Sequence, residues 1–423
     1  MAYLGQSPVV GRYSLCDDIS SGFNGSTTAF SLTASSAAIK PGTARNLLLS
    51  LGGVIQKPES DFTVSGSSLT FTTAPASGLT FFAVILGDAY AVGTPSDNTV
   101  LPASIYSGYQ LGTVDGQNNT LLGTNAGDSF TGTDAVNNTL IGYNAGTAIT
   151  TGDQNTAVGG LVLDANTTGS NNVGIGYAAL SDSSTGSQNT ALGMYALKAN
   201  TTASNNTALG YASLFTNTTG TSNVGVGYAA LTSNTTGNYN TAVGNDALTT
   251  NTTGANNVAV GHESLKSNVL GSTNVAIGYE ALYTNTDSDH NTAVGYQALK
   301  LYDNSTDNFN SYNTAFGFQS GLNTTGAANR NTFVGGLSAN TNTTGELNTV
   351  LGYYALGVNE TGNQNVAIGA YCLDAYTGGD TVGIGEGCLS TLTTGTGNTA
   401  VGWEAAKLST TGSNNSVFGH RAL

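Results

Sequence analysis

Over the last three-quarters of the chain, apolar residues come in short bursts separated by Asn, Thr and Ser, and the bursts recur at a fixed spacing. A glycine marks each burst, at 123, 142, 159, 176, 193, 210, 227, 244, 261, 278, 295, 317, 335, 352, 369, 385, 402 and 419. Thirteen of the 17 intervals between these 18 glycines are 17 residues long. Such a unit is too short to bury its own apolar face, so it must stack on its neighbours, and a sustained period of this kind predicts a solenoid. One clean copy runs Asn240-Thr241-Ala242-Val243-Gly244-Asn245-Asp246-Ala247-Leu248-Thr249-Thr250-Asn251-Thr252-Thr253-Gly254-Ala255-Asn256. Slots are counted here from the key glycine, so Asn240 is at −4 and Leu248 at +4 of Gly244. The copy predicts a short strand at Thr241-Ala242-Val243, whose two-residue alternation would turn slots −3 and −1 inward. Ala247-Leu248 is a small-plus-large pair for the other side of a thin core. Thr252-Thr253-Gly254 predicts a turn, with its glycine at φ > 0. At one strand spacing of ~4.8 Å per coil, 18 coils stack to roughly 85 Å.

Two slots are nearly invariant. The key glycine, as in Gly244, Gly261, Gly278 and Gly295, has no exception, which either a left-handed φ or close approach of a neighbouring backbone would demand. Asparagine holds slot −4 in 17 of 18 copies, as in Asn240, Asn257, Asn274 and Asn291; Thr381 is the exception. A recurring Asn either forms a hydrogen-bonded ladder between coils or makes a turn facing water. Turn duty alone would also admit Asp, Ser and Gly, which favours the ladder.

Before the repeats the pattern is that of an ordinary β domain. Residues 27–33 alternate through Phe30 and Leu32, and residues 46–56 read as a buried strand broken at Gly52-Gly53. Residues 62–71 read as a hairpin around 65–68, and residues 80–86 as a last, fully buried strand. All six prolines lie at or before Pro102. The chain is therefore expected to be all-β: an antiparallel sandwich or barrel over 1–92, a linker over 93–110, and a parallel β-solenoid of 18 repeats over 111–423. A narrow roll with exposed edges invites association, and a homotrimer is expected.

Composition narrows the function. Only 8% of residues are charged and 39% are hydrophobic, unlike a disordered chain. A net charge of −15 disfavours nucleic acid as a partner. No run reaches the ~20 apolar residues of a membrane span, so no membrane insertion is expected. The start, Met1-Ala2-Tyr3-Leu4-Gly5-Gln6, lacks the basic and apolar regions of a signal peptide. Three cysteines make no disulfide framework.

The repeat also accounts for most residues that might carry chemistry. Cys372 and Cys388 both fill slot +3, usually Ala, one coil apart. Parallel side chains suit neither the disulfide torsion nor a zinc tetrahedron, so buried thiols are expected. His262 and His420 sit at slot +1, and His290 stands apart; none has partners at metal or catalytic spacing. Gly174-Ile175-Gly176 recurs with the coil and opens no helix, so it is no dinucleotide loop. Asp246, Glu263 and Glu280 are scattered acids, although the last two share slot +2 of adjacent coils, where a polysaccharide-cleaving carboxylate pair is conceivable. A solvated face is the plainer reading. No catalytic, metal or cofactor-binding residue is predicted, and no enzyme. Slot +1 holds Tyr143, Tyr177, Tyr211, Tyr228, Tyr279, Tyr296 and Tyr353, with Phe318 and Trp403 as variants. This row is either a packed aromatic ladder or a sugar-binding stripe, and Trp403 and Tyr353 are the candidate receptor contacts.

The segment Asn291-Thr292-Ala293-Val294-Gly295-Tyr296-Gln297-Ala298-Leu299 resembles the repeats of phage fibre proteins. It is also similar to the head repeats of trimeric autotransporter adhesins, which build a trimeric β-roll. Gly25-Ser26-Thr27-Thr28-Ala29-Phe30, Gly53-Val54-Ile55-Gln56-Lys57-Pro58, Asp61-Phe62-Thr63-Val64-Ser65-Gly66 and Thr70-Phe71-Thr72-Thr73-Ala74-Pro75 resemble the virion-attachment domain of podovirus-type and cyanophage tail fibres. The resemblance implies a phage tail fibre made in the host cytoplasm and carried on the virion. It implies docking to tail or other virion proteins through 1–92, and a shaft that meets a host cell-surface glycan or protein. A head fibre or decoration protein and a bacterial surface adhesin are the alternatives; an adhesin would add a signal peptide and an anchor. In related proteins such repeats precede a self-cleaving C-terminal chaperone domain, and an end at Leu423 fits removal of such a domain or a tip covered by another protein.

Overall fold

The computed structural model describes residues 14–86, 117–130, 134–303 and 310–423. The chain divides into two compact units, Met1–Leu101 and Pro102–Leu423. The expected linker, 93–110, lies outside the described residues. Among the described residues there is no α-helix, only two short 3-10 turns at Ser20–Gly22 and Ala44–Asn46.

The first unit is antiparallel. One sheet has the order β1 (Ser14–Leu15), β9 (Phe81–Ile85), β5 (Leu47–Leu51) and β6 (Val54–Ile55). A second has β2 (Ala29–Ser31), β8 (Ser68–Phe71) and β7 (Phe62–Ser65), and a small ribbon pairs β3 (Thr33–Ala34) with β4 (Ala37–Ala38). The hairpin read at 62–71 is present, with Ser65 opposite Ser68. The break at Gly52-Gly53 is a turn with φ of 57° and 87°, both reachable because neither residue has a Cβ. Phe23, Leu32, Leu49, Phe62, Leu69 and Phe81 meet in the shared core. The strand at 80–86 is not fully buried as its continuous apolar run suggested. It alternates: Phe81, Ala83 and Ile85 face the core while Phe82 is 50% exposed.

The second unit is a single parallel sheet of 18 strands, from β10 (Thr120–Leu122) to β27 (Ser416–Phe418), each paired only with its neighbours in sequence. Register is constant, so each slot stacks on itself: Thr241 pairs with Val258, Ala242 with Ala259 and Val243 with Val260.

The alternation within the strand is as expected, but its phase is reversed. Slot −2 points into the core, where Ala242, Ala259, Ala276 and Ala293 are fully buried. Slots −3 and −1 point out, and Val243 is 36% exposed. The reason is width: a 17-residue coil encloses room for about one large side chain, which Leu248 at slot +4 already supplies. The sequence balances these volumes. Where slot −2 is large, slot +4 of the preceding coil shrinks, as in the pairs Leu140 with Gly127, Phe333 with Gly321, Val350 with Ala339 and Val417 with Ala406. A Cβ on Gly321 would stand 2.7 Å from the Phe333 ring. Slot +3 is balanced too: Gly174 and Gly383 leave room for Val162 and Cys372 of the preceding coil.

Tight corners come from left-handed residues. Slots −5, +2 and +4 take positive φ in coil after coil, for example Tyr239 at 57°, Asp246 at 54° and Leu248 at 52°. This excludes most β-branched residues, which tolerate that region poorly, and it explains why slot +4 is Leu and not Ile or Val. The turn glycine differs from expectation. Gly254 is not among the positive-φ residues. It is small because a Cβ there would collide with the carbonyl oxygen of Gly271 in the next coil.

Candidate recognition surfaces

The key glycines satisfy both conditions that were left open. Gly244, Gly261, Gly278 and Gly295 have φ of 145°, 131°, 134° and 139°, a region almost closed to other residues. Each also lies against the next coil; a Cβ on Gly261 would stand 2.5 Å from the carbonyl oxygen of Gly278. These glycines build the fold.

The asparagines at slot −4 form the ladder. Asn240, Asn257, Asn274 and Asn291 are fully buried. In each coil the Oδ1 accepts the backbone N–H of the next Asn, as from Asn257 to Asn240 at 3.0 Å. The Nδ2 donates to the turn carbonyl, as from Asn240 to Gly254 at 2.8 Å. The chain of bonds is unbroken from Asn119 to Thr381. A second ladder at slot +7 was not foreseen. Here Asn200, Asn217, Asn234, Asn251, Asn268 and Asn285 link side chain to side chain, with Nδ2 to Oδ1 distances of 2.8–3.1 Å. In the 22- and 16-residue coils that begin at Gly295 and Gly369, buried Tyr302 and Tyr376 take this slot, and the Tyr376 hydroxyl donates to the Gly379 carbonyl at 2.7 Å.

The cysteines are free and buried. Hydrogen bonding to Cys388 and then burial push the Cys372 thiol up, while that same bond lowers Cys388. Burial, with the Asp17 carboxylate beside it, pushes Cys16 up to about 11.

Three surfaces remain. The first is the outer face of the ladder. Slots −3, −1 and +1 all face outward, so apolar side chains run its whole length: Ile175, Leu192, Leu209, Ile277, Phe316 and Leu351 are exposed at slot −1. Beside them the slot +1 rings stack, Tyr211 on Tyr228 at 5.4 Å, Tyr279 on Tyr296 at 5.1 Å and Tyr296 on Phe318 at 5.4 Å. Monomeric proteins rarely expose contiguous apolar patches beyond a few hundred Å². The candidate contacts Trp403 and Tyr353 both belong to this row, three coils apart. Trp403 is stacked on His420 at 4.7 Å, with the Arg421 guanidinium 4.6 Å from its ring. Tyr353 is half exposed and meets Tyr371 edge-on at 5.6 Å.

The second surface is a charged flank made by slots +2 and +5. Glu263 pairs with Lys266, Glu280 with Lys300 at 2.7 Å, and Glu404 with Lys407 and Arg421. Burial pushes the Glu280 carboxyl up, but hydrogen bonds from Lys300 and Gln297 outweigh it and hold the group below its usual range. That is the reverse of what a general acid for glycoside cleavage needs.

The third surface belongs to the first unit. On the outer side of its four-stranded sheet, Phe82 and Ile55 flank Ser50, and Leu15 and Leu48 flank Val84. Phe82, Ile55, Leu15 and Leu48 are all exposed.

Sequence reasoning missed this geometry because it assigned the slot −1 residues to the interior. The volume exchange between slots −2 and +4 was the available signal for the correct phase. No model of a known protein family matches the chain, and no curated protein matches it.

Proposed function

We propose that this chain is the fibre of a virion appendage, a phage tail fibre that associates as a homotrimer, docks through its N-terminal unit and meets the host surface through its solenoid. The observation that carries the reading is the uncovered apolar face along the ladder. Three chains side by side would remove slots −3 and −1 from water and leave the charged flanks wet. The exposed apolar side of the first unit supports docking to tail or other virion proteins. The repeat itself supports spacing and multivalent contact: weak sites on one rod gain avidity without covalent chemistry, which supports a non-enzymatic role.

The mass of the purified chain in solution tests the assembly. A trimer of the 42.5 kDa chain is expected, and a clean monomer would overturn it. A label at the C-terminus, imaged on particles, tests the polarity. It should lie at the free tip; a label at the particle surface rejects the arrangement. Incubation with host polysaccharide should leave polymer length unchanged.

A further inference from the structure

On the flank where other coils carry ion pairs, one stretch is aromatic. Tyr195 occupies slot +2, where the neighbouring coils have Ala178, Ala212 and Ala229. Phe215 occupies slot +5, where the next two coils have Thr232 and Thr249. Met194 replaces the usual ring at slot +1 and interrupts the stack beside them. Large residues set among small ones leave a cleft of about 430 Å³, lined by Tyr195, Lys198, Tyr211, Ala212, Phe215 and Thr232. That volume lies within the ~300–1,000 Å³ of small-molecule sites. The Tyr195 ring stands edge-on to Tyr211 (6.1 Å, 70°) and to Phe215 (6.1 Å, 85°), so aromatic faces and edges surround a floor at Ala212. Lys198 Nζ lies 5.9 Å from the Phe215 centroid and 3.2 Å from the Asp182 carboxylate.

We propose that this cleft binds one hexopyranose ring of an uncharged glycan. A pyranose has an apolar C–H face and a rim of hydroxyls. The C–H face suits the aromatic walls, and the rim suits the Lys198 ammonium, the Asp182 carboxylate and the two tyrosine hydroxyls. An acidic sugar is disfavoured because Asp182 already answers the Lys198 charge in a chain of net charge −15. An extended peptide would seek a free sheet edge, and the strands beside the cleft are paired on both sides. Apart from Tyr211 at slot +1, the site uses slots +2 and +5, so it stays open when slots −3 and −1 are covered in a trimer. The proposal rests on the reading that the solenoid meets a host-surface glycan.

The repeat supplies its own benign variants. Tyr195→Ala and Phe215→Thr each install the residue that adjacent coils carry in the same slot, so both should fold. Circular dichroism and melting check this. The full chain and its variants are titrated over immobilised neutral oligosaccharides of glucose, galactose and mannose, and over sialylated counterparts. Wild type should bind a neutral glycan. Affinity should fall at least about tenfold in each cleft variant and stay unchanged in Asp246→Ala on the same flank. Undiminished binding in both cleft variants overturns the site while glycan recognition stands, and a loss in Trp403→Ala instead would move it to the slot +1 row. Preference for sialylated glycans overturns the ligand class. Absence of binding to every glycan overturns both the cleft and the glycan reading.

Discussion

At the scale of single residues, the fold rests on side chains that are too small or too specific to exchange. Gly261 has φ of 131° and a neighbouring carbonyl where a Cβ would be, so Gly261→Ala should destabilise the solenoid by ~3 kcal/mol or more, read as a lowered melting temperature. Asn257 accepts from the Asn274 N–H and donates to the Gly271 carbonyl. Asn257→Ala leaves the buried Asn274 N–H unpaired, while the Gly271 carbonyl keeps its bond from Asn268 Nδ2, and should cost about 1–3 kcal/mol. The thiols give a chemical check. Burial raises Cys16, the bond to Cys388 and then burial raise Cys372, and all three cysteines are hidden, so none should react with a thiol reagent at about pH 8 until the chain is denatured. Asp164 tests linkage. Burial raises its pKa, so the stability it contributes is complete below the unfolded value and is lost as pH rises through the folded one. Asp164→Asn should match wild type at about pH 3 and exceed it at about pH 7, by less than ~1 kcal/mol because the group is partly in water.

At the scale of the coil, the unit of design is a conserved volume. Phe333→Ala should empty the core and cost about 3–5 kcal/mol. Gly321→Leu alone should also destabilise, because its side chain would enter the space of the Phe333 ring. The double variant restores the Ala-and-Leu arrangement of neighbouring coils, and Leu already takes the φ of Gly321 there, 60° against 52° at Leu248. It should therefore recover most of the loss, measured as a double-mutant cycle in denaturant. This reciprocity also marks how far the sequence was legible. Period, strand position, the key glycine and the slot −4 ladder could be read because each recurs as a residue type. The inward face could not be read from residue type, because Val243 looks more like a core residue than Ala242. Room inside the coil decides it, and that shows only in the compensation between two slots. The slot +7 ladder escaped notice because it is interrupted by Ser183, Tyr302, Thr324 and Tyr376. The cleft at Tyr195 was hidden by attention to what repeats, whereas it consists of what does not.

At the scale of the whole molecule, the outward rows decide the behaviour. A charge at the centre of the proposed contact should separate the chains without unfolding them. Ile277→Glu is expected to shift the solution mass from trimer toward monomer while circular dichroism is preserved. An unchanged mass would place the contact elsewhere. Low charge on the ladder face also predicts weak salt dependence of assembly, in contrast to an interface held by ion pairs.

The four coils of irregular length, two of them plugged by Tyr302 and Tyr376, have a further consequence. A run of identical turns has translational degeneracy: a chain displaced by one whole turn against its neighbour meets almost the same partners. Four unequal turns, of 19, 22, 18 and 16 residues and unevenly placed, would remove that degeneracy like notches on a vernier. In the proposed trimer, chains aligned at all four notches would lie flush, and every displaced alignment would strand mismatched turns. In the proposed assembly the irregularities would act as a ruler along the solenoid, selecting one alignment from many that are nearly equal.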